Sequence, residues 1–340
     1  MGRILFVGLA FGVTLLAGCA GQTALTPPEA AVPSSAARAG GPRVSWQFAG
    51  SLARPDARPS WIAAAAKKHS IIYISDEATN NVYLFTYPQG KLVGTLTGFS
   101  GPGGLCTDRH GDVFVPNVFT STIVEYAHGG TTPIATLNDG TDRYPNSCAI
   151  DPVTGDLAVA NNGSGTGEGP GDIAIYRGAA GSASFEKAMY HPYSCGYDPY
   201  GNLFVDGEDA SFDNFRFGEL TASKKRYHKI DLNQPIALAG GVAWDGASVA
   251  VGDVYGAVIY QFSISGSNGN RIGSTQLTGT VAAWQFDVDL QRVVVPNSNT
   301  QDQPASQILN YDYPNGGAAR KVYGTGIVRD PVGATISLPK

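Results

Sequence analysis

The stretch Pro102-Gly-Gly-Leu-Cys-Thr-Asp108, followed after a short turn by Gly111-Asp112-Val-Phe-Val, decides the fold because the chain repeats it. Clear copies begin at Pro145 and Pro192. The aspartates that end the copies are Asp108, Asp151 and Asp198, with weaker copies ending at Asp245 and Asp287. They are 43, 47, 47 and 42 residues apart. A period of about 40–50 residues with several short strands per unit is typical of β-propeller blades.

Each unit is predicted to contain four strands. In the second unit these are Gly104–Thr107, Val113–Val115, Thr122–Tyr126 and Pro133–Leu137, separated by Gly, Asn, Asp and Pro residues. Glycine supplies 44 of the 340 residues and only 15% are charged, against about 7% glycine and a quarter charged in typical proteins. Many tight turns and few charged helix faces favour an all-β domain.

The first unit lacks an inner strand of its own. Ahead of its strands, Trp61–His69 is rich in alanine and predicts one or two helical turns, with Ser60 as a candidate N-cap. The missing phrase appears at the far end of the chain, as Asp330–Ser337. We therefore expect a six-bladed β-propeller of four-stranded blades, in which the C-terminal strand at about 331–337 completes blade one and removes an open sheet edge.

The N-terminus predicts export and a lipid anchor. Residues 1–18 form a signal peptide whose apolar core is too short for a normal membrane span. Leu16-Ala17-Gly18-Cys19 resembles the bacterial lipobox, which implies cleavage before Cys19 and lipidation of its thiol. An ordinary secretory signal cut near Ala20 is the alternative. Residues 19–42 predict a disordered tether rich in Ala, Pro, Ser and Thr, and residues 43–340 the propeller domain.

These features predict an extracytoplasmic, lipid-anchored protein of the bacterial cell envelope. By resemblance to Gram-negative lipoproteins, Ala20 after the cysteine favours the outer membrane, because it is not an aspartate. The net charge of −5 and the absence of extended Lys/Arg clusters argue against a nucleic-acid partner.

One face of the ring is expected to present a set of short polar side chains. The residue two places beyond the last Val or Ile of each second strand is Asp76, Asn117, Asn161, Gly207, Asp253 or Asn297. These side chains could bond turn backbone, or they could offer oxygen ligands to a divalent cation such as Ca²⁺. Blade four departs from the pattern with Asp206-Gly207-Glu208-Asp209, which reads either as an exposed acidic loop or as a functional site.

The repeat resembles NHL-type propellers and their relatives, the gluconolactonase-type propellers, over about Ser70 to Ser337. The second resemblance implies a metal held by Asn and acidic side chains, for which Asn146, Asp206 and Asp253 are candidates. The first-blade glutamate of that family has no clear counterpart here, and Asp330 is the nearest residue. The fold hosts binders, lyases and hydrolases alike.

Three cysteines remain in the mature chain besides Cys19. Cys148 and Cys195 occupy the same place in adjacent copies, whereas Cys106 lies one residue nearer its aspartate and should point the other way. A Cys148–Cys195 disulfide and buried, inert thiols are both open.

No motif names a reaction, because the sequence has no nucleophile elbow, phosphate loop or metalloprotease helix. The leading hypothesis is a module that binds an unknown protein or small-molecule ligand through one face of the ring. A metal-dependent lactonase or esterase and a structural envelope protein are the alternatives. His191, near Pro192 on the candidate face, is the one histidine placed to act as a base.

Overall fold

Six β-sheets follow one another around a ring, which confirms the predicted six-bladed β-propeller. The computed structural model describes residues 54–165, 169–223, 226–289, 291–298 and 306–340. The signal peptide, Cys19, the tether and the start of the predicted propeller domain lie outside these residues. Among the described residues, no helix is long and apolar enough to cross a membrane.

The two strands nearest the central channel are paired antiparallel in every blade. For blades one to six, the inner strands are Pro331–Ser337, Cys106–Thr107, Arg143–Ile150, His191–Tyr197, Ala239–Trp244 and Asp287–Asp289. The second strands are Ile71–Asp76, Val113–Asn117, Leu157–Ser164, Leu203–Glu208, Val249–Asp253 and Arg292–Asn297.

Two further strands complete each blade on its outer side. The third strands are Asn81–Thr86, Thr122–Tyr126, Asp172–Tyr176, Phe215–Leu220, Val258–Ser265 and Gln307–Asp312. The outer strands are Leu92–Leu96, Pro133–Asn138, Ser184–Glu186, Tyr227–Lys229, Asn268–Thr278 and Lys321–Tyr323. Short added strands extend two sheets: Trp61–Ile62 lies beside the outer strand of blade one, and Asp231–Leu232 and Gly317–Ala318 lie beside that of blade five.

The ring closes as predicted. Pro331–Ser337 pairs antiparallel with Ile71–Asp76, so the last strand of the chain becomes the inner strand of blade one. The alanine-rich segment ahead of this blade forms a 3₁₀ helix, Ala64–Lys68. Ser60 does not cap it: its hydroxyl accepts a hydrogen bond from the Thr97 N–H at 3.0 Å, because the added strand carries Ser60 to the sheet edge. The other described 3₁₀ helices are Val118–Thr120 and Arg177–Ala179.

Each inner strand carries a β-bulge at the start of the repeated phrase. We number the phrase so that Pro102 is position one and Asp108 is position seven. In blade four, Pro192 pairs with Gly207 and Ser194 with Asp206, so Tyr193 at position two is the extra residue. The same single-residue excess recurs in the other five blades. Bulges re-aim side chains, here at the mouth of the channel.

The pairing also corrects the sequence alignment of blade six. Ala283 pairs with Asn297, which makes Ala283 position one and Asp289 position seven. Asp287, which the sequence analysis aligned as the end of this copy, is therefore position five. The error arose because aspartate stands at both position five and position seven in this blade, as Asp287 and Asp289, and no proline marks where the phrase begins.

Apolar side chains fill the spaces between neighbouring blades as six clusters. In the cluster between blades one and two, Ile71, Leu84, Leu105 and Val115 are at most 1% exposed. Burial between sheets, where each blade covers the next, is what stabilises the ring.

The disulfide joins Cys106 to Cys148, with Cα atoms 5.5 Å apart, and Cys195 is a buried free thiol. Of the two alternatives left open, the Cys148–Cys195 disulfide is therefore not the one formed, and Cys195 fits the buried, inert thiol. Position five of one blade faces position four of the next: Cys106 packs with Cys148, and Ala149 packs with Cys195. Equivalent positions point the same way around the ring and cannot meet, whereas the one-residue offset of Cys106 turns it toward Cys148.

Candidate functional site

The polar set predicted for one face lies there and pairs with position one of the phrase in every blade. We call this the upper face, where the chain enters the inner strands and leaves the second strands; the opposite, lower face holds the turns between them. The paired residues are Asp76 with Pro331, Asn117 with Pro102, Asn161 with Pro145, Gly207 with Pro192, Asp253 with Ala239 and Asn297 with Ala283.

In four blades the polar side chain holds the segment that enters the inner strand. In blade six, Oδ1 of Asn297 accepts hydrogen bonds from the N–H groups of Val281 and Ala282, at 2.7 and 3.3 Å. In blade one, Oδ2 of Asp76 accepts from Arg329 and Asp330, at 2.5 and 3.2 Å. We call this arrangement the Asx clasp.

Blades two and five have the same clasp. Oδ1 of Asn117 accepts from the Ser100 N–H at 2.7 Å. Asp253 accepts from Ala237 and Leu238 at 3.0 and 3.3 Å, and from Gly256 in its own turn at 3.2 Å. The clasp thus satisfies backbone N–H groups of the segment that enters each of these inner strands, and leaving such a group unpaired would be costly.

The oxygens of the clasp are the same atoms that were predicted to bind a cation. Their lone pairs already point at backbone N–H groups, and in Asp76 and Asp253 both carboxylate oxygens are used. Among the described residues, no three His, Cys, Asp or Glu side chains are grouped as a metal site. The oxygens of Asn117, Asp253 and Asn297 therefore serve a structural clasp, whereas Oδ1 of Asn161 accepts no hydrogen bond from the described residues. Cation binding by all four residues stays a prediction.

Blade three lacks the clasp. Nδ2 of Asn161 donates to Oδ1 of Asp172 at 2.8 Å, and Asp172 is paired with Arg143 at 3.0 Å. The Arg143 guanidinium also lies over the Phe185 ring, 3.6 Å from its centroid. A side-chain network has replaced the backbone contact in this blade.

Blade four lacks the clasp for a steric reason. A Cβ atom at Gly207 would lie 2.0 Å from the His191 carbonyl oxygen, so the backbone of the inner strand occupies the space of a side chain. Only glycine permits so close an approach. Gly207, the one member of the set that is neither Asp nor Asn, thus marks the place where the inner and second strands of blade four approach too closely for a side chain.

The acidic residues beside Gly207 are not an exposed loop. Asp206 is 0% and Glu208 3% exposed. Oδ1 of Asp206 accepts from the Ser194 N–H at 2.9 Å, and the Tyr193 hydroxyl donates to Glu208 at 3.2 Å. Burial, with Glu208 nearby, raises the pKa of Asp206 well above its usual range. These carboxyls are internal groups of the blade, and the acidic side chain that reaches solvent here is Asp209.

An aromatic stack covers the buried histidine of blade four. The Phe212 ring lies on the His191 imidazole, with centroids 3.8 Å apart and planes inclined by 21°. His191 is fully buried, and its Nδ1 donates to the Asn162 carbonyl oxygen at 2.9 Å. Phe212 adopts φ 57°, a left-handed conformation that is rare for bulky residues. Such strain persists only where the surroundings impose it, often at functional sites.

Asp209 imposes the conformation of this loop. Its carboxylate accepts from the Ser211 backbone and hydroxyl, from Asn214 Nδ2 at 2.7 Å, and from Arg216 at 2.8 Å. The loop from Asp209 to Asn214, which we call the blade-four loop, is therefore a built turn that presents one aromatic ring at the upper face.

The candidate metal ligands do not form one group. Nδ2 of Asn146 donates to the Tyr193 carbonyl oxygen at 2.8 Å, so this side chain links the bulges of blades three and four. Asn146 and Asp206 thus both lie near the bulge of blade four, whereas Asp253 is engaged in the clasp of blade five. The structure does not gather the three proposed metal ligands through shared contacts.

Gln285, which reaches across the channel, was not among the residues singled out from the sequence. Position three of the phrase is Gly333, Gly104, Ser147, Ser194, Gly241 and Gln285 in blades one to six. Gln285 is the one long side chain in this set, and it crosses to the backbone of Leu105 and Ala334. Comparing the copies position by position would have found it, but the blade-six alignment was shifted by two residues.

No protein-family model matches this chain, and no curated protein sequence is significantly similar to it. Solved structures share its fold. A chain of a nidogen/laminin complex is similar with a TM-score of 0.63 and 13% identity, over 80% of this chain and 99% of that one.

Two bacterial proteins of unknown function are also similar. One from Bacteroides caccae has a TM-score of 0.60 and 10% identity, over 79% of this chain and 99% of its own. One from Desulfotomaculum acetoxidans has a TM-score of 0.50 and 13% identity, over 77% and 82%. At these identities the likeness supports the β-propeller fold and not an activity.

Proposed function

We propose that this chain is a lipid-anchored, extracytoplasmic β-propeller that binds a protein partner through the upper face at blade four. The observation that supports this most is the blade-four loop, where a strained backbone at φ 57° presents the Phe212 ring over His191. Aromatic anchors on rigid supports are typical of binding hot spots. Among the described residues, Asn80, Ser121 and Ala257 take the same left-handed conformation in the corresponding turns of blades one, two and five, so what sets blade four apart is the aromatic ring that its turn carries.

The comparison with the nidogen/laminin complex is consistent with such a role, since a propeller of this shape occurs there in a complex between two proteins. The NHL and gluconolactonase resemblances stay predictions beside it. Of these, only binding has a feature of the described residues in its favour, because no shared contact brings Asn146, Asp206 and Asp253 together as one group of metal ligands.

Co-purification tests the binding role. Full-length wild-type protein, a Phe212→Ala variant and a Tyr200→Ala variant would be cross-linked in native membranes and purified. Tyr200 is the matched control, because it is 76% exposed on the lower face of the same blade. We expect one partner recovered with the wild type and Tyr200→Ala, and at least tenfold less with Phe212→Ala. Equal recovery from all three, with unchanged melting temperatures, would refute the assignment.

The anchor has a separate test. The lipobox at Leu16–Cys19 and a disulfide, which is typical of oxidising compartments, both support the envelope location. Cells given an alkyne-labelled fatty acid should label the wild-type chain and leave a Cys19→Ser variant unlabelled and released from membranes. A labelled Cys19→Ser chain, or an unlabelled wild type, would refute lipidation at this residue.

A further inference from the structure

The channel of the propeller contains a cavity of about 330 Å³ that opens on the lower face, opposite the proposed protein-binding surface. Its walls come from all six inner strands. Position five of every copy lines it: Thr335, Cys106, Ala149, Gly196, Ala243 and Asp287. A cavity of this size lies at the lower end of the range for small-molecule sites.

Gln285 closes the upper end of this cavity. Its Oε1 accepts from the N–H groups of Leu105 and Ala334, at 3.3 and 3.0 Å, and its Nε2 donates to the Leu105 carbonyl oxygen at 3.0 Å. Its stem also lies where a side chain at Gly104 would be. Gln285 therefore links blades six, one and two at this end of the cavity.

The wall combines apolar side chains with one buried charge. Leu105, Val242, Phe286 and Ile336 supply apolar surface. Asp287 is the one charged residue at position five, where the other blades have small or uncharged residues. Among the described residues that line the cavity, the other charged ones are Asp108 and Arg109, whose opposite charges stand together in one turn at the mouth.

The Asp287 carboxylate is fixed in place. Its Oδ2 accepts from the Ile336 N–H at 2.7 Å and the Thr335 hydroxyl at 3.3 Å, and Thr335 is bonded in turn to Thr107 at 2.8 Å. Burial raises the pKa of Asp287 to about 6, with Asp289 adding to the shift. Among the described residues Asp287 forms no ion pair, and a desolvated carboxylate without one is costly, so a cationic ligand would relieve that cost.

We propose that this pocket binds a small organic cation, a primary ammonium or an amidinium on a compact apolar body, with Asp287 as its counter-ion. The charged head lies at Asp287, and the apolar body packs against Leu105, Val242 and Phe286. The site is separate from the blade-four loop, and it lies on the face opposite the polar set to which the sequence pointed.

Calorimetry on the full chain in detergent tests the proposal with benzamidine and phenethylamine as probes, against benzamide and benzoate. We expect the two cations to bind at least tenfold more tightly than benzamide, and benzoate not to bind. Asp287→Asn keeps an acceptor for the Ile336 N–H and should weaken both cations at least tenfold. Asp289→Asn, which removes a carboxylate outside the cavity wall, should leave both affinities within about twofold.

Three results would overturn the proposal. These are no binding of either cation at millimolar concentration, equal binding of benzamidine and benzamide, and unchanged cation binding in Asp287→Asn. Should Asp287→Asn fail to fold, the comparison of benzamidine with benzamide on the wild-type chain decides the question without it.

Discussion

Gln285 in blade six hydrogen-bonds to both the N–H and the carbonyl oxygen of Leu105 in blade two, 180 residues away in the chain. The same side chain accepts from Ala334 in blade one at 3.0 Å. It therefore ties together three consecutive blades at the point where the ring closes. The closing strand joins blade one along its edge, and Gln285 joins it across the channel.

This role predicts that Gln285→Ala destabilises the fold. The change removes a partly buried side chain and leaves backbone groups of Leu105 and Ala334 without this partner, which should lower the free energy of unfolding by about 2–4 kcal/mol. Urea unfolding measures this. Gln291→Ala, at an exposed turn of the same blade, is the control and should change it by less than about 0.5 kcal/mol. A midpoint for Gln285→Ala equal to that of the wild type would contradict the role.

Position five of each blade faces position four of the next blade. This relationship, which we call the facing rule, predicts that a second disulfide can be introduced. Ala149 at position five faces Cys195 at position four of the next blade, as Cys106 faces Cys148. Ala149→Cys should therefore oxidise to a disulfide with Cys195, visible by peptide mapping without reduction.

The control is Ala243→Cys, which faces Phe286 and should stay a free thiol. In the wild-type chain, mapping should find Cys106 joined to Cys148 and Cys195 alkylated only after unfolding. A wild-type Cys148–Cys195 peptide would refute the rule.

The Asx clasp predicts that Asp253→Ala lowers the free energy of unfolding more than Asp253→Asn does. Asp253→Ala removes the acceptor for three N–H groups and should cost about 2–3 kcal/mol of unfolding free energy, whereas Asp253→Asn retains an acceptor oxygen and should cost about 1 kcal/mol. Asp213→Ala, at an exposed position, should be neutral. Added Ca²⁺ should not shift the melting temperature. A calcium-dependent increase that Asp253→Asn abolishes would favour the cation interpretation instead.

Glu77 predicts a pH dependence of stability at the closure of the ring. Burial, with Asp330 and Asp76 nearby, raises its pKa from 4.5 to about 7. The folded state then holds its proton more tightly than the unfolded state, so the stabilisation is complete below about pH 4.5 and is lost as the pH rises toward 7.

Glu77→Gln should therefore flatten the decrease in stability between pH 5 and pH 8, by on the order of 1–3 kcal/mol. Because other buried carboxyls also titrate, the difference between variant and wild type is what counts. Glu186→Gln in blade three is the control. An unchanged slope in Glu77→Gln would show that this carboxyl does not titrate as described.

The repeat made the architecture predictable, because each copy of the phrase marks the start of an inner strand and Pro331 marks the last. The sequence also placed Asp76, Asn117, Asp253 and Asn297 on one face. Their partners could not be read from it, since three of the clasps join residues 15–17 positions apart through a loop without a pattern, and the clasp of Asp76 joins residues 253 and 254 positions apart. The role of Gln285 was not predicted for the same reason, because the curvature of the ring determines which backbone groups it contacts.

Two errors had a physical source that the sequence did contain. Cys148 and Cys195 are equivalent positions, and equivalence in a ring means that they point the same way. Gly207 looked like the centre of an acidic surface loop, but the missing Cβ allows the strands to close, and closure buries Asp206 and Glu208. The acidic composition of this segment predicted exposure to solvent, but the packing of the two strands buries these side chains.

Site-specific photo-cross-linking tests the proposed binding surface most directly. A benzophenone amino acid would be placed at position 212 of the full-length chain in native membranes, and at position 200 as the lower-face comparison. The account predicts a discrete, light-dependent adduct with one protein from position 212 and none from position 200. An adduct from position 200 alone, or none from either position, would contradict a partner at the upper face of blade four.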